Sequence, residues 1–314
     1  GRSAGGESGG ARAERGDLAA AERLAAGLPD LLVEAARAAA TVTAGWHGRR
    51  RAGPGETFWQ YRPCFPGEPA QAIDWRRSAR DDGLYVRERE WQAAHTVWLA
   101  PDLSASMDWH SPLADETKLR RAVVLTLALA DLLGRAGERV GVPGLLAPRA
   151  DRRAAERLAE ALARAPATGW PDPAPIGRLA EVVVIGDFLA PPDEIAARLG
   201  RIGALGARLH LVRVVDPGEA LPPWTGRVDY RDPETGERLE ARRAESLMRD
   251  WQTRWHAHGA ALADLAARHG WTLVTHRSDH RATEALLAVH AALGGLGHGH
   301  AREPRPPRDG GTGA

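Results

Sequence analysis

From Ala94 onward the chain alternates short apolar runs with longer amphipathic segments, and this alternation restricts the fold more than any other feature. Thr96 to Ala100, Val140 to Leu146, Glu181 to Ile185, Leu209 to Val215 and Trp271 to Thr275 show little polar alternation, the pattern of strands covered on both faces. Between and after them, Thr117 to Arg135, Asp151 to Ala165, Pro192 to Leu205, Ala241 to His269 and Arg281 to Leu293 repeat apolar positions at helical spacing. Such alternation predicts an α/β domain over residues 94–296, with a mainly parallel sheet flanked by helices.

Upstream the pattern is different. A helical stretch from Leu18 to Thr43 leads into an irregular region holding Trp46, Phe58, Trp59, Tyr61, Trp75, Tyr85 and Trp91. Phe65-Pro66-Gly67-Glu68 suits a type II turn, with Pro at the second place and Gly at the third, where a positive φ is required. Residues 17–93 are therefore expected to form an N-terminal helix and a small, aromatic-rich, β-containing lobe. Residues 1–16 and 297–314 are rich in Gly, Pro and Arg and read as disordered tails, because so few apolar groups cannot repay the entropy of ordering. His298 and His300 fall in the second tail.

Several classes of function are excluded or disfavoured by composition. The 42 basic residues are matched by 41 acidic ones, so no global field drives the chain onto nucleic acid. Lys118 is the only lysine, and a phosphate-binding loop ending in Gly-Lys-Ser/Thr is absent, so the chain is not itself a P-loop ATPase. Cys64 is the single cysteine, which excludes an internal disulfide and fits a reducing compartment. The apolar stretch from Ala122 to Ala130 is far shorter than the roughly 20 residues of a bilayer span, and the N-terminus lacks the apolar core of a signal peptide. These features lead to the expectation of a cytoplasmic protein with no stable membrane insertion.

Three of the predicted strands end in polar residues where open α/β sheets bind ligands, outside the carboxyl ends. They are Pro101-Asp102-Leu103-Ser104-Ala105-Ser106, Gly186-Asp187-Phe188 and Val215-Asp216-Pro217. In the first, Asp102 and two hydroxyls stand at alternate positions directly after a strand, so a turning backbone can aim three hard oxygens at one point. Few charges and room for water suit Mg²⁺ or Mn²⁺. Asp216, followed by Pro217 and Gly218, reads as a turn residue rather than a ligand.

The Asp-x-Ser-x-Ser pattern with a later strand-end aspartate resembles the metal-ion-dependent adhesion site of von Willebrand factor A domains. The resemblance implies a Rossmann-like von Willebrand factor A fold. It also implies a metal held by Asp102, Ser104 and Ser106, with Asp187 as second aspartate, and an open position that takes an acidic side chain of a partner. The family's threonine has no secure counterpart; Thr168 lies in the right interval but in no recognisable pattern.

Further segments are similar to the bacterial domain of unknown function 58 family. They are Arg62-Pro63-Cys64-Phe65-Pro66-Gly67-Glu68, Ile73-Asp74-Trp75-Arg76-Arg77-Ser78-Ala79-Arg80, Val86-Arg87-Glu88, Ser104-Ala105-Ser106-Met107 and Asp232-Pro233-Glu234-Thr235-Gly236. This resemblance covers most of residues 45–293 and implies association with MoxR-type AAA+ ATPases in complex assembly or maturation. The expected function is thus a metal-assisted adaptor that engages an acidic client protein and a MoxR-type ATPase. A Mg²⁺-dependent phosphohydrolase using Asp102 as nucleophile is the alternative. Asp74, Arg76, Arg77 and Arg80 suit either a basic surface for a partner's acidic group or an ion-paired seam between lobe and domain, because arginine forks serve both. Most of the tryptophans are expected to fill core or interface.

Overall fold

The computed structural model describes residues 26–44, 58–64, 71, 73–80, 83–89, 95–166 and 176–294. Helix α1, residues 26–44, places Leu31, Ala35, Ala38, Ala39 and Val42 on one face by their three- and four-residue spacing. All five join the main apolar core. The chain divides into two compact units, residues 43–94 and the remainder, so the helix grouped with the lobe on sequence grounds belongs instead to the α/β unit.

In the smaller unit β1 (Phe58–Pro63) pairs antiparallel with β2 (Tyr85–Arg89), with a bulge between Phe58 and Gln60. Between them lies α2 (Trp75–Ser78), one turn capped by Asp74, whose carboxylate accepts the Arg77 N–H at 3.0 Å. The expected turn at Phe65-Pro66-Gly67-Glu68 lies outside the described residues, as do both tails with His298 and His300.

The larger unit is mixed α/β. Its elements run β3 (Thr96–Pro101), α3 (Lys118–Arg135), β4 (Arg139–Val142), β5 (Leu146–Ala150), α4 (Ala154–Leu162), β6 (Glu181–Gly186), α5 (Pro192–Ala204), β7 (Arg208–Val215) and α6 (Pro217–Ala220). A short hairpin follows, β8 (Val228–Arg231) and β9 (Arg238–Ala241), then α7 (Met248–His269), β10 (Thr272–Arg277) and α8 (Ala282–Gly294). The main sheet has the order β10-β7-β6-β3-β4-β5 and is parallel except for the β4–β5 pair.

Two segments differ from expectation. Val140 to Leu146 is not one strand, because Pro143 and Gly144, the latter at φ +73°, turn the chain back so that β5 runs antiparallel to β4. Ala241 to His269 is not one helix. Ala241 ends β9, a single 3-10 turn (Ala244–Leu247) follows, and α7 starts only at Met248.

The central strands β3, β6 and β7 are buried along nearly their whole length because both faces of the sheet are covered there. Val97, Leu99, Val183, Ile185, Val212 and Val214 pack with α1, α3, α4 and α8, while Trp98, Ala100, Val182, Val184, Leu209 and Leu211 pack with α5 and α7. Each such Leu or Ile contributes roughly 1.5–3 kcal/mol by leaving water. From β3 the chain passes to α3 on the first face and on to β4; from β6 it passes to α5 on the second face and on to β7. The winding direction therefore reverses between β3 and β6, and the carboxyl ends of those two strands flank a crevice. Among the described residues no helix is long and apolar enough to cross a membrane.

Candidate functional site

Asp102 and Asp187 follow β3 and β6 directly, which places one aspartate on each side of that crevice. Both are buried. The loop after β3 is tied to the neighbouring strand by the Asp102 N–H, which donates to the Ile185 carbonyl at 2.7 Å. Asp102 Oδ1 in turn accepts the Ser104 N–H at 2.9 Å, folding the chain into a tight turn, and residues Ala105–Met107 close a 3-10 turn. Met107, fully buried, anchors that turn in the core.

The two hydroxyls then bridge the strand ends. Ser104 Oγ and Ser106 Oγ lie 3.2 Å apart, and Ser106 Oγ donates to Asp187 Oδ2 at 2.9 Å. Sequence reasoning thus placed Asp102, Ser104, Ser106 and Asp187 together, and the fold brings them together. Burial pushes the Asp102 carboxyl up to about 6; its bonds from Ser104 oppose the shift, and the negative charges of Asp187 and Glu234 add to it. A cation at this position would relieve that cost. Behind Asp187, Phe188 adopts φ +52°, a left-handed conformation that a non-glycine residue seldom takes. Its carbonyl accepts the His258 Nε2–H at 2.7 Å, so α7 holds the strained turn in place.

Lys118, Glu219 and Arg213 were not among the residues expected here. Lys118, the first residue of α3, is 1% exposed, and its ammonium donates to Asp187 Oδ2 at 2.8 Å and to Glu219 Oε1 at 2.5 Å. Burial alone would lower its pKa, but the two carboxylates outweigh burial and hold it above the usual lysine value. Glu219 is fixed by the capping box of α6, in which its Oε2 accepts the Asp216 N–H at 3.0 Å. Asp216, fully buried, caps α6 and also accepts the Ser111 N–H at 2.9 Å. It therefore fastens the start of α6 to the loop at Ser111. Arg213, 5% exposed, lies with its guanidinium 4.5 Å from the Trp255 ring centre, and burial lowers its pKa.

Aromatic rings stand around these charges. Trp98 and Trp271 are core residues as expected, but Trp109, Trp224, Trp251 and Trp255 are not buried. Trp224 packs on Trp109 and on Tyr230 of β8, each at 6.1 Å between ring centres, and Lys118 Nζ lies 5.9 Å from the Trp109 ring. Trp251 stacks on Trp255, and its indole N–H donates to the Glu219 carbonyl at 2.6 Å. The signal missed in the sequence was Lys118 itself. A sole lysine, heading a long apolar helix where the dipole disfavours a cation, requires carboxylates nearby.

Of the remaining expected residues, Asp74 caps α2, Arg77 places its guanidinium 4.8 Å from the Tyr85 ring centre within the smaller unit, and Arg76 and Arg80 are exposed. Thr168 lies outside the described residues.

Comparison with protein families matches residues 60–261 to "Protein of unknown function DUF58". The chain belongs to the DUF58 family. Uncharacterized proteins of Mycobacterium bovis and of two Mycobacterium tuberculosis strains are 27% identical to this DUF58 chain over 247 residues, covering 72% of it and 76% of each relative. Among solved structures, an aerotolerance-related membrane protein from Bacteroides fragilis is 20% identical, with a TM-score of 0.41. The conserved hypothetical protein BatB from Bacteroides thetaiotaomicron is 17% identical, with a TM-score of 0.40. Each match covers 64% of this chain and 100% of the other.

Proposed function

We propose that the larger unit is a von Willebrand factor A-like docking domain that engages an acidic group of a client protein through a divalent ion, in concert with a MoxR-type AAA+ ATPase. The observation that carries the reading is the chain of contacts across the crevice, in which the Ser104 N–H donates to Asp102, the Ser104 and Ser106 hydroxyls meet, and the Ser106 hydroxyl donates to Asp187. Two carboxylates and two hydroxyls suit Mg²⁺ or Mn²⁺, which prefer oxygen and keep several waters. Asp102, Ser104, Ser106 and Asp187 would hold the ion, whose contribution is an exchangeable position open to a carboxylate. The chain's own groups do the positioning: the Ser104 N–H orients Asp102, the Ser106 hydroxyl orients Asp187, and Met107 fixes the turn between them.

The phosphohydrolase alternative is the weaker reading. Haloacid-dehalogenase chemistry needs a second aspartate two residues after the first, and Ser104 stands there. The test of the docking reading is capture of candidate AAA+ and acidic client proteins in Mg²⁺ and in EDTA. Capture is expected to fail on chelation and in Asp102→Ala, with circular dichroism unchanged. Binding indifferent to both would overturn the reading, and phosphate release from a generic ester that requires Asp102 would favour the alternative.

A further inference from the structure

Asp187 Oδ2 already serves two donors, the Ser106 hydroxyl at 2.9 Å and the Lys118 ammonium at 2.8 Å, and Asp187 Oδ1 accepts the Leu189 N–H at 3.3 Å. An aspartate so occupied has little acceptor capacity left for a second cation. The ammonium is not a surface group that drifted inward. It is 1% exposed, it opens a helix against the dipole, and it also donates at 2.5 Å to Glu219, which is locked by the α6 capping box. Burial of a lone ammonium is prohibitive, so the two carboxylates and the lysine are one unit, each needing the others. Arg213, the other buried cation nearby, feels the charge of both carboxylates, but its guanidinium lies over the Trp255 ring and its Nε and Nη2 donate to neither of them.

We infer that Lys118 is a resident cation that sets the divalent-ion affinity of this site: it holds Asp187 and Glu219 in place without metal and competes with the ion for Asp187. The inference rests on the docking reading and deepens it. The site is then assembled in the metal-free protein and takes up the ion weakly, with Asp102 and the two serines as its uncontested ligands. Exchange of the ion is correspondingly easy, which suits a reversible docking point.

The experiment is Mn²⁺ titration by calorimetry, with melting temperatures in Mn²⁺ and in EDTA, for the full chain and for two variants. Lys118→Met frees Asp187 but leaves two unpaired carboxylates, so it destabilises the apo protein. Lys118→Met with Glu219→Gln also frees Asp187 but keeps one negative charge in the cluster, as in the wild type, and serves if the single variant fails to fold. The double variant is expected to bind Mn²⁺ at least tenfold more tightly than the wild type and to melt higher in Mn²⁺ than in EDTA, while the wild type melts almost alike in both. Equal or weaker binding by the double variant overturns the inference. If the wild type takes up Mn²⁺ through Asp102 and the lysine variants do not differ from it, the docking reading stands and only the role of Lys118 falls. If no form takes up the ion, or uptake survives Asp102→Ala, the metal-assisted reading falls with it.

Discussion

Asp216 shows what one buried carboxylate can fasten. Its Oδ1 accepts the Gly218 N–H at 2.7 Å and its Oδ2 the Ser111 N–H at 2.9 Å, so one side chain caps α6 and pins a loop 105 residues distant in sequence. Asp216→Ala strands both donors in a site without water access, and the expected loss is about 3 kcal/mol of stability. Asp216→Asn keeps one acceptor and should lose about half as much. Urea denaturation of the two variants checks this, and a loss below about 1 kcal/mol for alanine would refute the fastening role. At this scale the sequence is legible only in part. Asp102, Ser104 and Ser106 were legible because three oxygens within five residues follow a strand, and Asp187 because it ends another. Lys118 signals a need for carboxylates, but Glu219 was not legible, since nothing local says that this helix start and a one-turn helix over a hundred residues later will meet.

Secondary elements carry a similar lesson, and glycine shows it best. Val142-Pro143-Gly144-Leu145 is a type II turn closed by the Leu145 N–H to Val142 carbonyl bond at 3.1 Å, with Gly144 at φ +73°. The same proline-glycine logic predicted a turn at Phe65-Pro66-Gly67-Glu68, yet the apolar run Val140 to Leu146 concealed it here. Next to the turn, a Cβ on Gly141 would lie 2.6 Å from the Leu146 carbonyl oxygen and 2.8 Å from the Pro148 nitrogen, both backbone atoms of β5. Gly141→Ala must therefore push β5 off β4, at a cost of about 1–3 kcal/mol. Gly200, inside α5, has nothing within 4 Å of the same position, so Gly200→Ala should gain roughly 0.5–1 kcal/mol from helix propensity and reduced unfolded-state freedom. Melting curves should move in opposite directions for the two variants. A shared direction would mean that the β4–β5 contact is softer than its backbone distances imply.

At the scale of the molecule, the parallel sheet was legible because apolar runs and amphipathic segments alternate, whereas the reach of the core was not. Helix α1 adds Leu31, Ala35 and Val42 to a core whose strands begin more than fifty residues later, a pairing that no local pattern announces. The same global packing governs how the protein responds to acid. His276, on the outer strand β10, is 3% exposed, and its pKa is lowered to about 4 by burial first and then by the charge of Arg121. The folded-state value is depressed, so the unfolded chain binds the proton first as pH falls. The contribution is fully present above the unfolded value near 6.5 and is lost as pH falls toward 4, by about 3 kcal/mol in all. Urea denaturation of wild type and His276→Asn at pH 7, 5.5 and 4.5 separates the histidine's contribution from that of the carboxylates, which titrate in both proteins. The wild type should lose more stability across that range than the variant does, although the variant starts lower for want of packing. Parallel pH profiles for the two would show that His276 takes its proton in the folded state as readily as in the unfolded one, and hence that the β10 edge is more open to water than its burial indicates.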